Sequence, residues 1–149
     1  MKLQIRNQVF ETNSSSVHSL VVSDNGLEPS ELPQDKDGKI LVDFGKFGTD
    51  YHLYESQEEK LSYLITLCYY TCGGFEMEDV YESSDFRCIE EAVCEYTGAT
   101  GIKIIGGIEP EIDHQSHPYC GIEIINVWDK GEIISFVFNK NIALKTDCD

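Results

Sequence analysis

Positive charge is scarce in this chain. Eleven Lys and Arg residues stand against 27 Asp and Glu, a formal net charge of −16 over 149 residues. Nucleic-acid affinity rests on Lys and Arg releasing counterions from phosphates, so direct nucleic-acid binding is not expected. Long apolar runs are missing as well. No stretch approaches the roughly 20 residues that span a bilayer, and no membrane association is expected. The opening Met1-Lys2-Leu3-Gln4-Ile5-Arg6 lacks the apolar region of a signal peptide. The chain is therefore expected in the cytosol, with its six cysteines mostly reduced. No Cys-x-x-Cys pair exists, so neither a zinc ribbon nor a thioredoxin-type motif is indicated. Buried thiols behave as small hydrophobes, which accounts for Cys68 and Cys72 on one predicted helix and for Cys88 and Cys94 on another. Cys148 is expected at the surface. Internal repeats and clear linkers are also absent.

What is present is a globular composition, 41% apolar and 11% aromatic. The length suits one domain with a full core. Residues 2–10 alternate, with Leu3, Ile5 and Val9 on one side, as in a half-buried strand. His18-Ser19-Leu20-Val21-Val22 reads as its hairpin partner, with the Thr/Asn/Ser run 12–16 in the turn. Residues 23–39, with Gly26, Pro29, Pro33, Gly38 and many acids, read as a solvent-facing loop. A third strand covers 39–44 and is broken by Gly45 and Gly48.

The best-signed helix opens at Ser56-Gln57-Glu58-Glu59, a capping box. Leu61, Leu64, Ile65, Cys68 and Cys72 continue it as an apolar stripe, and Gly73-Gly74 stops it. A second helix starts after Ser83-Ser84, turns Phe86, Ile89, Val93 and Tyr96 inward, and ends at Gly98. The acidic run 76–82 between them supplies a further turn or two. The last third reads as β: strand 101–105, a strand or short helix near 121–125, a strong strand 133–138, a turn at 139–141 and a returning strand 142–146. The expectation is a single α+β domain over 1–149, a mainly antiparallel sheet with two principal helices packed on one face. The 56–72 helix is expected to lie on that sheet.

Two polar clusters adjoin these strands. One is Thr12-Asn13-Ser14-Ser15-Ser16-Val17-His18-Ser19 and the other Asp113-His114-Gln115-Ser116-His117. They are expected to lie side by side, because polar groups beside core strands must satisfy one another or bind something. Asn13, Ser14, Ser15, Ser16 and Gln115 offer hydroxyls and amides for a ligand; the same groups also satisfy a turn's own backbone. His18 and His114, with Asp113 orienting the imidazole, have the residue types for acid–base work on a nucleotide-like substrate. A nucleophilic serine is disfavoured, since neither a Gly-x-Ser-x-Gly elbow nor a Gly-rich oxyanion loop is present. His114, His117 and Cys120 have metal-ligating side chains, but Pro118 interrupts them and no second knuckle exists. No metal and no cofactor are expected.

The segment Val9-Phe10-Glu11-Thr12-Asn13-Ser14-Ser15-Ser16-Val17-His18-Ser19-Leu20 resembles the opening motif of a family of uncharacterised proteins carried by tailed phages and prophages. The loop Ile112-Asp113-His114-Gln115-Ser116 resembles that family's second motif, and the stretch from Phe136 through Asp147 its C-terminal hairpin. The three stretches touch about a quarter of the chain, in the family's order. Cys148 departs from the small polar residue expected there. The resemblance implies origin and architecture; the family has no established activity, so no functional residue carries over. Joined to the charge, it implies an acidic binding protein in the host cytoplasm. Such a protein would antagonise a host factor by occupying a basic, nucleic-acid-binding surface, as an inhibitor of a defence nuclease would. Glu76, Glu78, Asp79 and Glu82, interleaved with aromatics, are the acids suited to that surface. The alternative is a small enzyme using His18 and His114.

Overall fold

Alternation at the N-terminus produces what it predicts, an antiparallel strand pair. The computed structural model describes residues 3–9, 17–23, 26–48, 52–73, 76–112 and 125–147. Strand β1 (Leu3–Val9) pairs with β2 (Val17–Ser23) from Leu3 opposite Ser23 to Val9 opposite Val17. Strand β8 (Ala143–Asp147) adds to β2, and the short β5 (His52–Tyr54) closes the sheet in the order β1-β2-β8-β5. All three junctions are antiparallel.

The rest of the β structure corrects the expectation of one mainly antiparallel sheet. Strand β3 (Lys39–Val42) pairs in parallel with β6 (Gly101–Ile104). Strand β4 (Lys46–Phe47) pairs in parallel with β7 (Glu111–Ile112). Parallel partners need a long crossover. Helices α1 (Gln57–Thr71), α2 (Met77–Glu82) and α3 (Ser84–Thr97) supply it.

Side chains cover the outer edge of these parallel strands. Ile102 N–H donates to Glu90 Oε2 at 3.0 Å, and Ile104 N–H to the Tyr81 hydroxyl at 2.8 Å. Ile112 N–H donates to the Tyr70 hydroxyl at 3.2 Å. Each is a backbone donor that a neighbouring strand would otherwise satisfy.

The helix ends follow their local chemistry. Ser56 Oγ accepts from Glu59 N–H at 3.1 Å, and the Glu59 carboxylate reaches back to Ser56, so the capping box is formed. Ser83 Oγ caps α3 through Phe86 N–H at 3.2 Å. Gly98 ends α3 in the left-handed region, at φ 78°, where a Cβ is unfavourable.

The largest correction is at residues 133–138. They form not a strand but most of helix α4 (Lys130–Phe138). Asp129 starts it by accepting from Glu132 N–H at 3.1 Å. Ile133, Phe136, Val137 and Phe138 are all buried, so the helix is enclosed on several sides and has no polar face to betray its period. The hairpin expected at the C-terminus is therefore a helix followed by β8.

Helix α1 is the hub of the core. It packs on α4, α2, α3, β3 and β7, and α4 also packs on α3. The 56–72 helix thus lies chiefly on the other helices and the parallel strands. One buried cluster runs through Leu61, Leu64, Ile65, Phe86, Ile89 and Phe136. The loop expected to face solvent over 23–39 is strapped to α4: Glu28 N–H donates to Phe138 O and Lys140 N–H to Gly26 O, both at 2.9 Å. Leu32 in that loop is buried.

Candidate binding surface

Helix α2 is short and presents opposite chemistries on its two sides. Val80 is fully buried, and Met77 and Tyr81 pack partly buried against the core. Glu76, Glu78 and Glu82 are exposed and Asp79 is half-buried. Glu78 and Glu82 are one turn apart and so share a face. Glu76 N–H donates to Asp79 Oδ2 at 3.1 Å, which uses Asp79 to start the helix.

The acids continue into α3. Asp79, Glu82 and Asp85 line a polar recess of about 390 Å³ with Thr71, Ser83 and Ser84. Thr71 donates its hydroxyl to Asp85 Oδ2 at 3.1 Å. Among the described residues, no ion pair engages Glu76, Glu78, Asp79, Glu82 or Asp85. Three of the lysines elsewhere are committed to other acids. Lys130 is gripped by Glu91 at 2.7 Å and Glu95 at 3.0 Å, and these bonds raise its pKa. Lys140 pairs with Glu28 at 3.2 Å and Lys46 with Glu111 at 3.9 Å. The α2 face thus carries uncompensated negative charge, which projects a field into solvent.

The sequence-derived acids Glu76, Glu78, Asp79 and Glu82 are brought together by this one helix. Of the histidine clusters, His18 lies in β2, opposite Gln8 of β1 and Thr146 of β8. Thr146 is in turn opposite His52 of β5, a histidine that sequence reasoning passed over. Asn13, Ser14, Ser15, Ser16, Asp113, His114, Gln115, His117 and Cys120 fall outside the described residues, and so does the expected meeting of the two clusters. Among the described residues, no group of three His, Cys, Asp or Glu side chains is placed to hold a metal ion. Among them, too, no helix is long and apolar enough to cross a membrane. The free thiols Cys68, Cys72, Cys88 and Cys94 sit on α1 or its cap and on α3, with Cys68 buried and its pKa pushed well up by that burial.

Helix α2 also adjoins the chain after β6. Besides the Tyr81 bond to Ile104, a Cβ added to Gly106 would stand 2.7 Å from Met77 Cε. The acidic helix and residues 105–108 are therefore neighbours on one side of the molecule. Comparison of the chain with protein-family models, with curated proteins and with solved structures finds no match in any of the three.

Proposed function

We propose that this is a phage-encoded acidic protein that acts in the host cytoplasm and antagonises a host factor by occupying a basic, nucleic-acid-binding surface. The observation that carries the reading is the α2 face: exposed Glu76, Glu78 and Glu82, with no cation paired to them among the described residues. A surface that meets nucleic acid is lined with Lys and Arg placed for phosphates. A cluster of exposed carboxylates answers the same cations. The net charge of −16 adds long-range attraction and fast encounter, both of which weaken with salt. The resemblance of the Val9–Leu20 segment to a phage family supports the origin.

The test begins with the protein immobilised in host lysate at low salt. A basic nucleic-acid-binding protein should be retained and should leave at high salt. The purified partner should lose its nucleic acid when this protein is added. Glu78→Lys with Glu82→Lys should remove the competition, and replacing His18 and His114 together should leave it intact. Competition that survives the charge reversal but not the histidine replacement would overturn the reading in favour of an enzyme.

A further inference from the structure

Beside α2 lies a cleft of about 320 Å³ between β3, β4, the start of α1 and residues 105–108. That volume suits one large side chain or a small ligand. Its walls are mostly apolar, with Leu41, Phe44, Phe47 and Tyr54 inside and Ile105 and Ile108 at the mouth. The two isoleucines are 58% and 47% exposed and stand together at the cleft, where they form a small apolar patch.

The chain at the mouth is fixed by side-chain bonds. The Asp43 carboxylate accepts from Phe44 N–H at 2.7 Å and from Gly106 N–H at 3.1 Å through Oδ1, and from Gly107 N–H at 2.9 Å through Oδ2. Gly106 has φ 79°, a conformation that favours glycine, and Met77 fills the space beside it. The chain after β6 is thus fixed with Ile105 and Ile108 exposed. The ionisable groups of the cleft are Asp43, Lys46, Glu58 and Glu59. Lys46 is tied to Glu111, so the rim carries a negative excess.

From this we infer that the cleft is an anchor site for one apolar side chain flanked by Lys or Arg on a basic partner polypeptide. The inference rests on the acidic-surface reading and deepens it. The carboxylates of Asp43 and of Glu58 and Glu59 at the α1 start line the apolar socket, and α2 adjoins its 105–108 edge through Met77. An apolar anchor set among cations matches both chemistries, which is how a few buried side chains come to dominate an interface.

Two lysine-glycine peptides of equal charge serve as probes, one with a central leucine and one with serine in its place. Binding is read by calorimetry at low salt. The leucine peptide should bind roughly tenfold to a hundredfold tighter, the range expected for burying one such side chain. Ile105→Ser with Ile108→Ser should erase that advantage and leave the serine peptide's affinity unchanged. Both isoleucines are surface residues, and an unchanged melting curve checks that the variant is folded. Equal affinity of the two peptides, with binding still salt-dependent, overturns the anchor and spares the acidic surface. Failure of both peptides at every salt concentration overturns the acidic surface and the anchor with it. If hexylamine alone binds as tightly as the leucine peptide, the cleft is a small-molecule site and the anchor is likewise overturned.

Discussion

The Lys60 ammonium, in the first turn of α1, lies 2.8 Å from the carbonyl oxygen of Ile142, just ahead of β8. It also donates to Asn139 O at 2.9 Å. The side chain is 1% exposed, so the start of α1 is locked to the end of α4 through a buried amine. Burial lowers its pKa to about 8, against a smaller opposing effect of Glu55. A neutral amine still has two N–H groups for two carbonyls, so losing the proton breaks neither bond.

This gives stability a pH dependence of defined sign. Between about pH 8 and the ordinary lysine value of 10.5, the unfolded chain holds a proton that the folded chain lacks. Stability therefore rises with pH across that window. Below pH 8 both states are protonated and the full cost of the buried charge is present. Urea melts of the protein and of Lys60→Met should move apart in favour of the native lysine by roughly 3 kcal/mol between pH 8 and 10.5. Cysteine titration is common to both proteins and cancels. A constant difference would show an unshifted lysine.

Asp43 should be the most sensitive polar residue of the cleft. Asp43→Ala removes a charged acceptor from Phe44, Gly106 and Gly107. The expected loss is about 2 kcal/mol in denaturant melts. Amide exchange should accelerate at Gly106 and Gly107 ahead of the core, since the residues they pin are at the surface.

The helix caps supply a matched pair of tests. Ser56→Ala and Asp129→Ala each remove the acceptor of one first-turn N–H. Each should cost about 1 kcal/mol. An equal loss at Asp129 is the signature of a helix over 130–138, because a strand there would leave Asp129 with no cap to provide.

Charge reversal on α2 should separate binding from folding. Glu78 and Glu82 are exposed and make no ion pair among the described residues. Glu78→Lys with Glu82→Lys should change stability by no more than about 0.5 kcal/mol per site. Association with a basic partner should slow at low salt and change little at high salt. Stopped-flow kinetics at two salt concentrations would read this directly.

Legibility followed the range of the interactions. The Ser56–Glu59 box, the Ser83 cap and the Gly98 stop are contacts within one turn, and the sequence displayed each of them. Residues 133–138 misled because a run of Ile, Phe and Val has strand propensity and, when buried all round, no helical period. The available signal was Asp129 followed three residues later by Glu132, a helix start placed before the apolar run. The parallel pairs β3–β6 and β4–β7 join segments about 60 residues apart, and nothing local announces them. The acids of α2 were legible as a run. The cleft was not, because Asp43 and Ile108 meet only through those pairings.

The donors of Ile102, Ile104 and Ile112, each already held by a side chain, have a consequence for how this molecule can be approached. An exposed strand edge invites any extended chain to align with it, with little regard to sequence. Here that route is occupied, so neither a second copy nor an aggregating segment can extend these strands at those positions. Whatever meets this side of the protein must be recognised through its side chains, and recognition becomes selective by default.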